Sequence, residues 1–442
     1  MIEKLLFSCG ALLCVCIHAG VAQDVVVEEV EHVQVATAQL VELCSQNDRS
    51  VSVEEIRELL ESGASVNAVN ADGRTPVMLA MKYGHGLGIV NELIVSGAEL
   101  SSRSGIGTSA LMEAARSCVN ADVIRLLLAS NADPVAVDAG GSNALIYAAR
   151  HNSNVEIIRI LMAAGCSVNS RNLRGNTPLM YAAQDNPNAQ IVAFLLEGGA
   201  NLHSKNSKGS TPLRMAVSGN TNPDVIRLLA KSGADVAYTD GNGASLLMLA
   251  AKSNANPEVM RTLLVLGNSR RTKDRFGANA LSYAARFNPH VEVVDLLLRV
   301  GCDVHARGRN GLTPLMYAAQ SNTNPEVIRS LVRKSARVKE VNKGGSTPLI
   351  LACAYNDIPG ITQALIEARS PIDAVNAEGL TALMHAANTQ HESSKELVAL
   401  LIRAGANAKA KDKHGMTALD FAKQNVFLKN SQEFWMLNDA SF

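Results

Sequence analysis

The side chains that most often perform catalysis or bind metals are scattered along this 442-residue chain and form no catalytic pattern. No segment has the H-E-x-x-H spacing of a zinc-binding helix, and no G-x-G-x-x-G loop follows a predicted strand. His385 and His391 are the nearest histidine pair, and no cluster of carboxylates or cysteines completes a metal site beside them. We therefore predict a protein that is not an enzyme and that uses no cofactor, no metal and no small-molecule substrate.

Basic side chains, in contrast, recur at fixed distances from a regularly spaced glycine. They lie four, two or one residues before it or nine residues after it, and between residues 103 and 343 no acidic residue occupies these positions. The fourteen residues, which we name the basic stripe, are Arg103, Arg116, Arg150, Arg171, Arg174, Lys205, Lys208, Lys252, Lys273, Arg275, Arg286, Arg307, Arg309 and Lys343. The chain is neutral overall, with 41 basic and 41 acidic side chains, so the stripe indicates a separation of charge. Such a surface attracts acidic ligands in a salt-dependent way.

The spaced glycine marks an internal repeat. It stands at Gly73, Gly107, Gly141, Gly175, Gly209, Gly243, Gly277, Gly311, Gly345 and Gly379, always 34 residues apart, and at Gly415 after 36. Two residues later comes Ser, Thr or Asn, whose side-chain oxygen caps a helix N-terminus, and Pro suits the first helical position that follows. The L-M-x-A-A pattern that comes next predicts a short helix with a slim face.

A second helix is predicted in each repeat. Asn152, Asn186, Asn220, Asn254, Asn288 and Asn322 occupy one offset, where we expect a left-handed residue to end the first helix. Another asparagine, two residues later, is expected to cap the second helix, which reads V-I-R-x-L-L with apolar residues at helical spacing; these are Asn120, Asn154, Asn188, Asn222, Asn256 and Asn324.

These residues resemble the ankyrin repeat family. Segment 175–183, which reads G-N-T-P-L-M-Y-A-A, and the later L-L-x-x-G-A-x-x-N pattern match its signature over roughly residues 38–430. The resemblance implies an all-α solenoid of helix-turn-helix repeats joined by hairpin-like turns. Its concave face would be lined by the turn before the glycine and by the end of the first helix, where the basic stripe lies. The second helices would face the convex side and carry the acidic residues Glu156, Glu197, Asp224, Glu258, Glu292, Asp295 and Glu326.

One position departs from the family. Its usual His is absent and the chain has Met78, Met112, Met180, Met248, Met316 and Met384 there, or other residues. We read these methionines as core residues and expect packing to replace the hydrogen bonds that His would supply. Arg270 is a second oddity, since other repeats place Val168, Val236 and Val304 at its position.

The repeats define the expected domain boundaries. We expect a signal peptide at 1–22, an acidic linker at 23–37 and an N-terminal capping repeat at 38–70. The ankyrin repeats are then 71–104, 105–138, 139–172, 173–206, 207–240, 241–274, 275–308, 309–342, 343–376 and 377–412. A C-terminal capping repeat at 413–442 is expected to close the array with Phe434 and Trp435.

The N-terminal segment predicts export. Lys4 precedes an apolar run from Leu5 to Ile17, and small residues follow up to Ala22. This run is too short for a permanent membrane anchor and fits a secretory signal, so no transmembrane segment remains after its removal. The bacterial periplasm is the expected location, and a secreted or envelope-associated form is an alternative.

Three functions fit these features. The favoured one is a protein–protein interaction scaffold that binds an acidic protein surface through the basic stripe. The alternatives are a structural envelope protein that binds anionic polymer or lipid head groups, and a secreted effector. Nucleic acid is not expected as a partner, because the basic positions lack interleaved aromatic residues in the sequence. Lysine and arginine at these exposed turns would also keep a long repeat array soluble without binding anything.

Overall fold

The structure, a computed structural model, describes residues 23–47 and 51–441 and is helical throughout this part. The α-helices of the described residues are α1 Gln23–Ser45, α2 Val53–Glu61, α3 Pro76–Tyr83, α4 Leu87–Val95, α5 Ala110–Ser117, α6 Ala121–Ala129, α7 Ala144–His151, α8 Val155–Ala163, α9 Pro178–Asp185, α10 Ala189–Glu197, α11 Pro212–Gly219, α12 Pro223–Lys231, α13 Leu246–Ser253, α14 Pro257–Val265, α15 Ala280–Phe287, α16 Val291–Arg299, α17 Pro314–Ser321, α18 Pro325–Arg333, α19 Pro348–Tyr355, α20 Pro359–Glu367, α21 Ala382–Asn388, α22 Ser394–Arg403, α23 Ala418–Ala422 and α24 Gln432–Ala440. A 3₁₀ turn at Arg309–Gly311 precedes α17.

The chain divides into two compact units, 1–212 and 213–442. In the first unit α3, α5, α7 and α9 pack side by side as one layer, and α4, α6, α8 and α10 form a second layer. In the second unit α13, α15, α17, α19, α21 and α23 form one layer and α12, α14, α16, α18, α20 and α22 the other. Each unit is therefore a stack of helix pairs, as expected for a repeat fold.

The first helix of each repeat is buried on nearly all sides. In α9 six of the eight residues are buried, whereas in α8 only Ile157, Ile158 and Leu161 are. Small Ala side chains let the first helices approach each other, which explains the slim L-M-x-A-A face. The methionines that replace the family's His are buried to at least 99%, so their predicted role in the core is confirmed.

The predicted caps hold most of these helices in register. The side chains of Ser109, Asn143, Thr177, Ser245, Asn279, Thr313, Thr347, Thr381 and Thr417 each accept a hydrogen bond from the backbone N–H three residues later. Thr75 is an exception, because its side chain forms no such bond. The six asparagines predicted to cap the second helices also accept the expected backbone N–H.

The asparagine after the first helix behaves differently from the prediction. Asn152, Asn186, Asn254, Asn288 and Asn322 are extended, with φ between −104° and −78°, so the left-handed conformation expected there is wrong. Each is buried, and its Nδ2 donates to two carbonyl oxygens of the preceding repeat. Its Oδ1 accepts the N–H two residues later. We name this series, continued by Asn356 and Asn425, the asparagine ladder.

The ladder corrects a second expectation. Asn322 shows the pattern: its Nδ2 lies 2.7 Å from the carbonyl oxygen of Ala285 and 3.1 Å from that of Asn288. Asparagine therefore supplies buried hydrogen bonds between repeats, and packing is not alone in replacing the family's His. A buried amide is stable only when its donors and acceptor are all paired, and the repeat meets that requirement from the repeat before it.

The ends of the array differ in part from the expected caps. Residues 23–37, expected as an acidic linker, belong to α1, which packs on α2 and α3. At the other end Trp435 is 56% exposed, whereas Leu428 and Leu437 are among the fully buried residues. The predicted signal peptide 1–22 lies outside the described residues, as does most of the polar segment 47–50.

No described helix combines the length and apolar character needed to cross a membrane. The cysteines of the described residues, Cys44, Cys118, Cys166, Cys302 and Cys353, are free and buried. Burial raises the pKa of each thiol, to about 11 at Cys118 and Cys166 and to about 12 at Cys44, Cys302 and Cys353. These thiols are therefore poor nucleophiles at neutral pH.

An asparagine of the ladder should contribute more to the free energy of unfolding than an asparagine that caps a second helix. Replacing Asn322 by Ala leaves two buried carbonyl groups and one N–H without their partner, and should lower the free energy of unfolding by about 3 kcal/mol. Replacing the neighbouring half-buried cap Asn324 by Ala should lower it by only about 1 kcal/mol, because its bonds to Pro289 and Glu326 are exposed to solvent. Guanidinium denaturation of both variants measures the difference. Equal losses would contradict the role assigned to the ladder.

Candidate functional site

The turn before each repeat glycine forms a hairpin tip held by one side chain. At the 275–308 repeat, Asp274 Oδ1 accepts the backbone N–H groups of Phe276 and Ala278, and its Oδ2 accepts the Tyr283 hydroxyl at 2.9 Å. Gly277 has φ of +88°, and a Cβ there would lie 2.4 Å from the Arg307 carbonyl oxygen. The tip conformation thus follows from the Asp side chain and from a glycine that no other residue can replace.

Most consecutive tips within each unit are joined by a single backbone hydrogen bond. In the first unit the N–H of Leu173 donates to the Gly140 carbonyl and that of Ser207 to the Arg174 carbonyl. In the second unit the N–H of Arg275 donates to Asn242 and that of Lys343 to Asn310. Residues two before one glycine therefore lie beside residues one before the preceding glycine, which brings the tips of each unit into a row.

The basic stripe is exposed, as its sequence positions suggest. Seven of its residues, from Arg103 to Lys208, belong to the first unit and seven, from Lys252 to Lys343, to the second. Thirteen of the fourteen side chains are exposed, and Arg286 is half-buried. The tip residues lie on the hairpins, and Arg116, Arg150, Lys252 and Arg286 lie in the last turns of α5, α7, α13 and α15.

Two of the fourteen charges are neutralised by acidic neighbours. Arg150 Nε lies 2.6 Å from Asp185 Oδ2, and Arg307 lies 3.1 Å from Glu340. Arg171 instead donates to the Lys205 carbonyl oxygen, which ties two tips of the first unit together. The other members of the stripe form no ion pair within residues 23–47 and 51–441.

Several cations of the basic stripe lie over aromatic rings, mainly in the second unit, contrary to the expectation from the sequence. Lys252 Nζ and the Arg286 guanidinium carbon each lie 4.8 Å from the centroid of the Phe287 ring. The same Arg286 carbon lies 5.6 Å from the Tyr317 ring centroid. Arg309 is placed similarly over Phe276. In the first unit Arg150 likewise lies 5.0 Å from the Tyr181 ring centroid. The expected lack of aromatic residues near the basic positions, on which the exclusion of nucleic acid depended, is therefore wrong.

The second helices do not present the purely acidic face that the sequence suggested. Glu156 pairs with Arg125 and Arg159, and Glu326 and Glu367 pair with Arg329. Further pairs of this kind join Asp224 to Arg227 and Glu258 to Arg261. Second helices that carry the V-I-R-x-L-L pattern thus pair much of their acidic charge, because the pattern places an Arg three residues after the acid. Glu197, Glu292 and Asp295 form no ion pair among the described residues.

The remaining sequence candidates do not form a site. His385 is largely buried beside Asn376, and burial lowers its pKa. His391 is exposed and bonds to Ser393. No group of three or more His, Cys, Asp or Glu side chains within the described part of the chain could hold a metal. Arg270 is exposed and lines an open cleft with Arg271 and Val300, so it does not burden the core.

The tips should depend on the Asp274 side chain as a hydrogen-bond acceptor. Asp274→Ala removes the acceptor of two backbone N–H groups and of the Tyr283 hydroxyl, and should cost about 2–3 kcal/mol of unfolding free energy. Asp274→Asn should cost well under that, because Asn172 holds the equivalent tip in the first unit and its Nδ2 meets Tyr181 Oη at 3.0 Å. Chemical denaturation tests both variants, and equal losses would contradict the assignment.

Comparison with known proteins agrees with this architecture. The family model described as ankyrin repeats in three copies matches residues 82–172, 145–240, 222–307, 247–342, 282–367 and 349–433. A search of curated proteins found no match. Among solved structures, the human ASB11 ankyrin repeat domain is 27% identical with a TM-score of 0.44, and the match covers 52% of this chain and 99% of that chain. Since the family model matches well over half of its length, the chain belongs to the ankyrin repeat family.

Proposed function

We propose that this chain is an exported protein-interaction scaffold that binds an acidic protein surface through the basic stripe. Ankyrin repeats generally mediate protein–protein interaction, which makes a protein partner the first expectation. Repeat proteins of this family are typically scaffolds and not enzymes. The partner's acidic character is inferred from the charges of this chain.

The observation that carries the proposal is the contrast between the two faces of the repeats. Twelve members of the stripe, all but Arg150 and Arg307, have no ion-pair partner among the described residues. In contrast, the arginine near the middle of several second helices is paired with an acid one helical turn or one repeat away; these are Arg125, Arg227, Arg261 and Arg329. Positive charge is thus left unbalanced where the tips lie, and it would draw an acidic partner to that surface.

Binding to an anionic polymer or lipid surface is the competing function, since charge alone would support it. The two differ in how binding depends on position. A folded partner contacts particular tips, so reversing a few adjacent charges should abolish capture. A polymer averages over many tips, so its binding should weaken gradually with salt and tolerate local changes.

The charge of the first unit's tips should control capture. Reversal to Glu of Arg171, Arg174, Lys205 and Lys208, which are exposed, should leave the melting temperature nearly unchanged and abolish partner recovery from an envelope extract. As a matched control, Lys231, Arg299, Arg333 and Lys334 on second helices are reversed to Glu, which changes the net charge equally. Loss of capture in both variants, or in neither, would contradict a specific role for these tips.

Export can be tested independently. The proposal rests on Lys4 and the apolar run to Ile17, which lie outside the described residues. When the full chain is expressed in a bacterium with a C-terminal tag, we expect the tagged protein in the periplasmic fraction, with Gln23 as its first residue by mass spectrometry. Recovery only in the cytoplasmic fraction with Met1 retained would refute the exported location.

A further inference from the structure

Two stretches of the chain offer the same surface in two versions. Residues 141–184 and 277–320 are identical at 25 of 44 positions, four repeats apart. Arg150 in the first unit corresponds to Arg286 in the second, and Tyr181 corresponds to Tyr317. In both copies the arginine lies over the tyrosine ring, at 5.0 Å and 5.6 Å from the centroid. A comparison of the two copies therefore shows which of the two arginines has an acidic partner within the chain.

In the first copy the arginine is neutralised by an acidic residue of the same chain. Arg150 Nε lies 2.6 Å from Asp185 Oδ2, so its charge is already matched. The position of Asp185 is occupied in the second copy by Ser321, which is exposed and uncharged. A serine cannot balance a guanidinium. The equivalent arginine is consequently left without its acid.

The second copy holds its arginine in place without neutralising it. Arg286 lies between the Phe287 and Tyr317 rings, and its Nε is buried with no acceptor among the described residues. Lys252 adds a second positive charge over the Phe287 ring. Rings at these distances restrict where the guanidinium can lie, and a guanidinium beside aromatic rings can still form paired N–H···O bonds through its terminal nitrogens.

The nearby acid and tyrosine are already engaged. Asp274 accepts two backbone N–H groups and the Tyr283 hydroxyl, so it cannot serve Arg286. Tyr317 has its hydroxyl close to Gly308, where a Cβ would lie 2.5 Å from that oxygen. A side chain at position 308 would therefore clash with Tyr317, and Gly308 leaves room for this ring near Arg286. In the first copy the equivalent of Gly308 is Asn172, which bonds to Tyr181.

We infer that Lys252, Arg286, Phe287 and Tyr317, which we name the Arg286 site, bind a carboxylate side chain of an acidic peptide segment with an apolar residue beside it. This inference rests on the proposed function and identifies one site at which the acidic partner would be recognised. The planar guanidinium matches a carboxylate in two-point contact. Phe287 is 44% exposed and offers an apolar surface next to it. The cations cover ring faces that a nucleic-acid base would need for stacking, so a peptide fits better.

The test uses the chain's own first copy as a guide. Ser321→Asp should place a carboxylate beside Arg286 as Asp185 does beside Arg150, and so occupy the site from within. Ser321→Asn has nearly the same shape and no charge, and serves as the control. Both variants of the full chain should melt like the wild type, because position 321 is exposed.

The probe is a short fluorescein-labelled peptide of repeating Glu-Phe-Gly, measured by fluorescence anisotropy. We expect Ser321→Asp to raise its Kd about tenfold, equivalent to about 1.4 kcal/mol, and Ser321→Asn to leave it within about twofold, about 0.4 kcal/mol. A peptide of repeating Gln-Phe-Gly should bind wild type no better than it binds Ser321→Asp.

Several results would overturn the inference. Equal Kd values for wild type and Ser321→Asp would show that Arg286 is not the contact, and equal losses in both Ser321 variants would assign the effect to shape. Tighter binding of an oligothymidylate than of the Glu peptide, lost in Ser321→Asp, would make the occupant a nucleic acid. If Ser321→Asp binds normally while reversal of the four first-unit tips abolishes partner capture, the scaffold function stands and only the Arg286 site is wrong.

Discussion

The fold depends on one recurring interaction, the asparagine amide that donates to two carbonyl oxygens of the preceding repeat. Asn288, for example, lies 3.0 Å from the Ala251 carbonyl oxygen and 2.9 Å from that of Asn254. Because a buried amide is costly unless it is fully paired, each repeat can adopt only the spacing that meets these bonds. Tip positions follow from that spacing, since the tips are attached to the same first helices. Where the asparagine is present, the position of a tip thus depends on a buried hydrogen bond at the opposite end of the first helix.

Much of this architecture could be predicted from the sequence because its signals are local. A capping Ser or Thr, a Pro after it and a glycine at the turn each act within a few residues, and the structure has them where the repeat period placed them. The conformation of Asn152 could not be predicted in the same way. Its amide bonds to Ala115 and Cys118, more than thirty residues away, and nothing in the local sequence reports that contact. Asparagine is common in left-handed helix caps, but the bonds to the preceding repeat require an extended backbone at Asn152.

The functional surface shows the same division. Exposure of the stripe followed from its offsets, because turn residues and the last turns of the first helices face solvent. Which charges are balanced did not follow, since Arg150 meets an acid 35 residues away and Arg286 meets the ring of Tyr317 in the next repeat. The paired arginines of the second helices add little stability, as exposed ion pairs generally do. Because their charges are neutralised locally, the unpaired residues on the tips contribute more to the electrostatic potential around the protein.

The asparagine ladder also bears on how such a chain can change in length. The acceptors are backbone carbonyls, which every repeat offers whatever its side chains are, so a rung can form between any two neighbouring repeats when the second one carries the asparagine. A crossover that inserts or removes whole repeats therefore creates a junction with the same buried bonds as the old one. The amide rung is missing where another residue holds this position, as Gly84 and Cys118 do in the first two ankyrin repeats. It is also missing in the 36-residue repeat, where Thr389 Oγ1 donates to the Cys353 carbonyl. Repeats that keep this asparagine can therefore be inserted or removed without loss of the buried bonds. The four-repeat duplication that relates Arg150 to Arg286 lies in this part of the array.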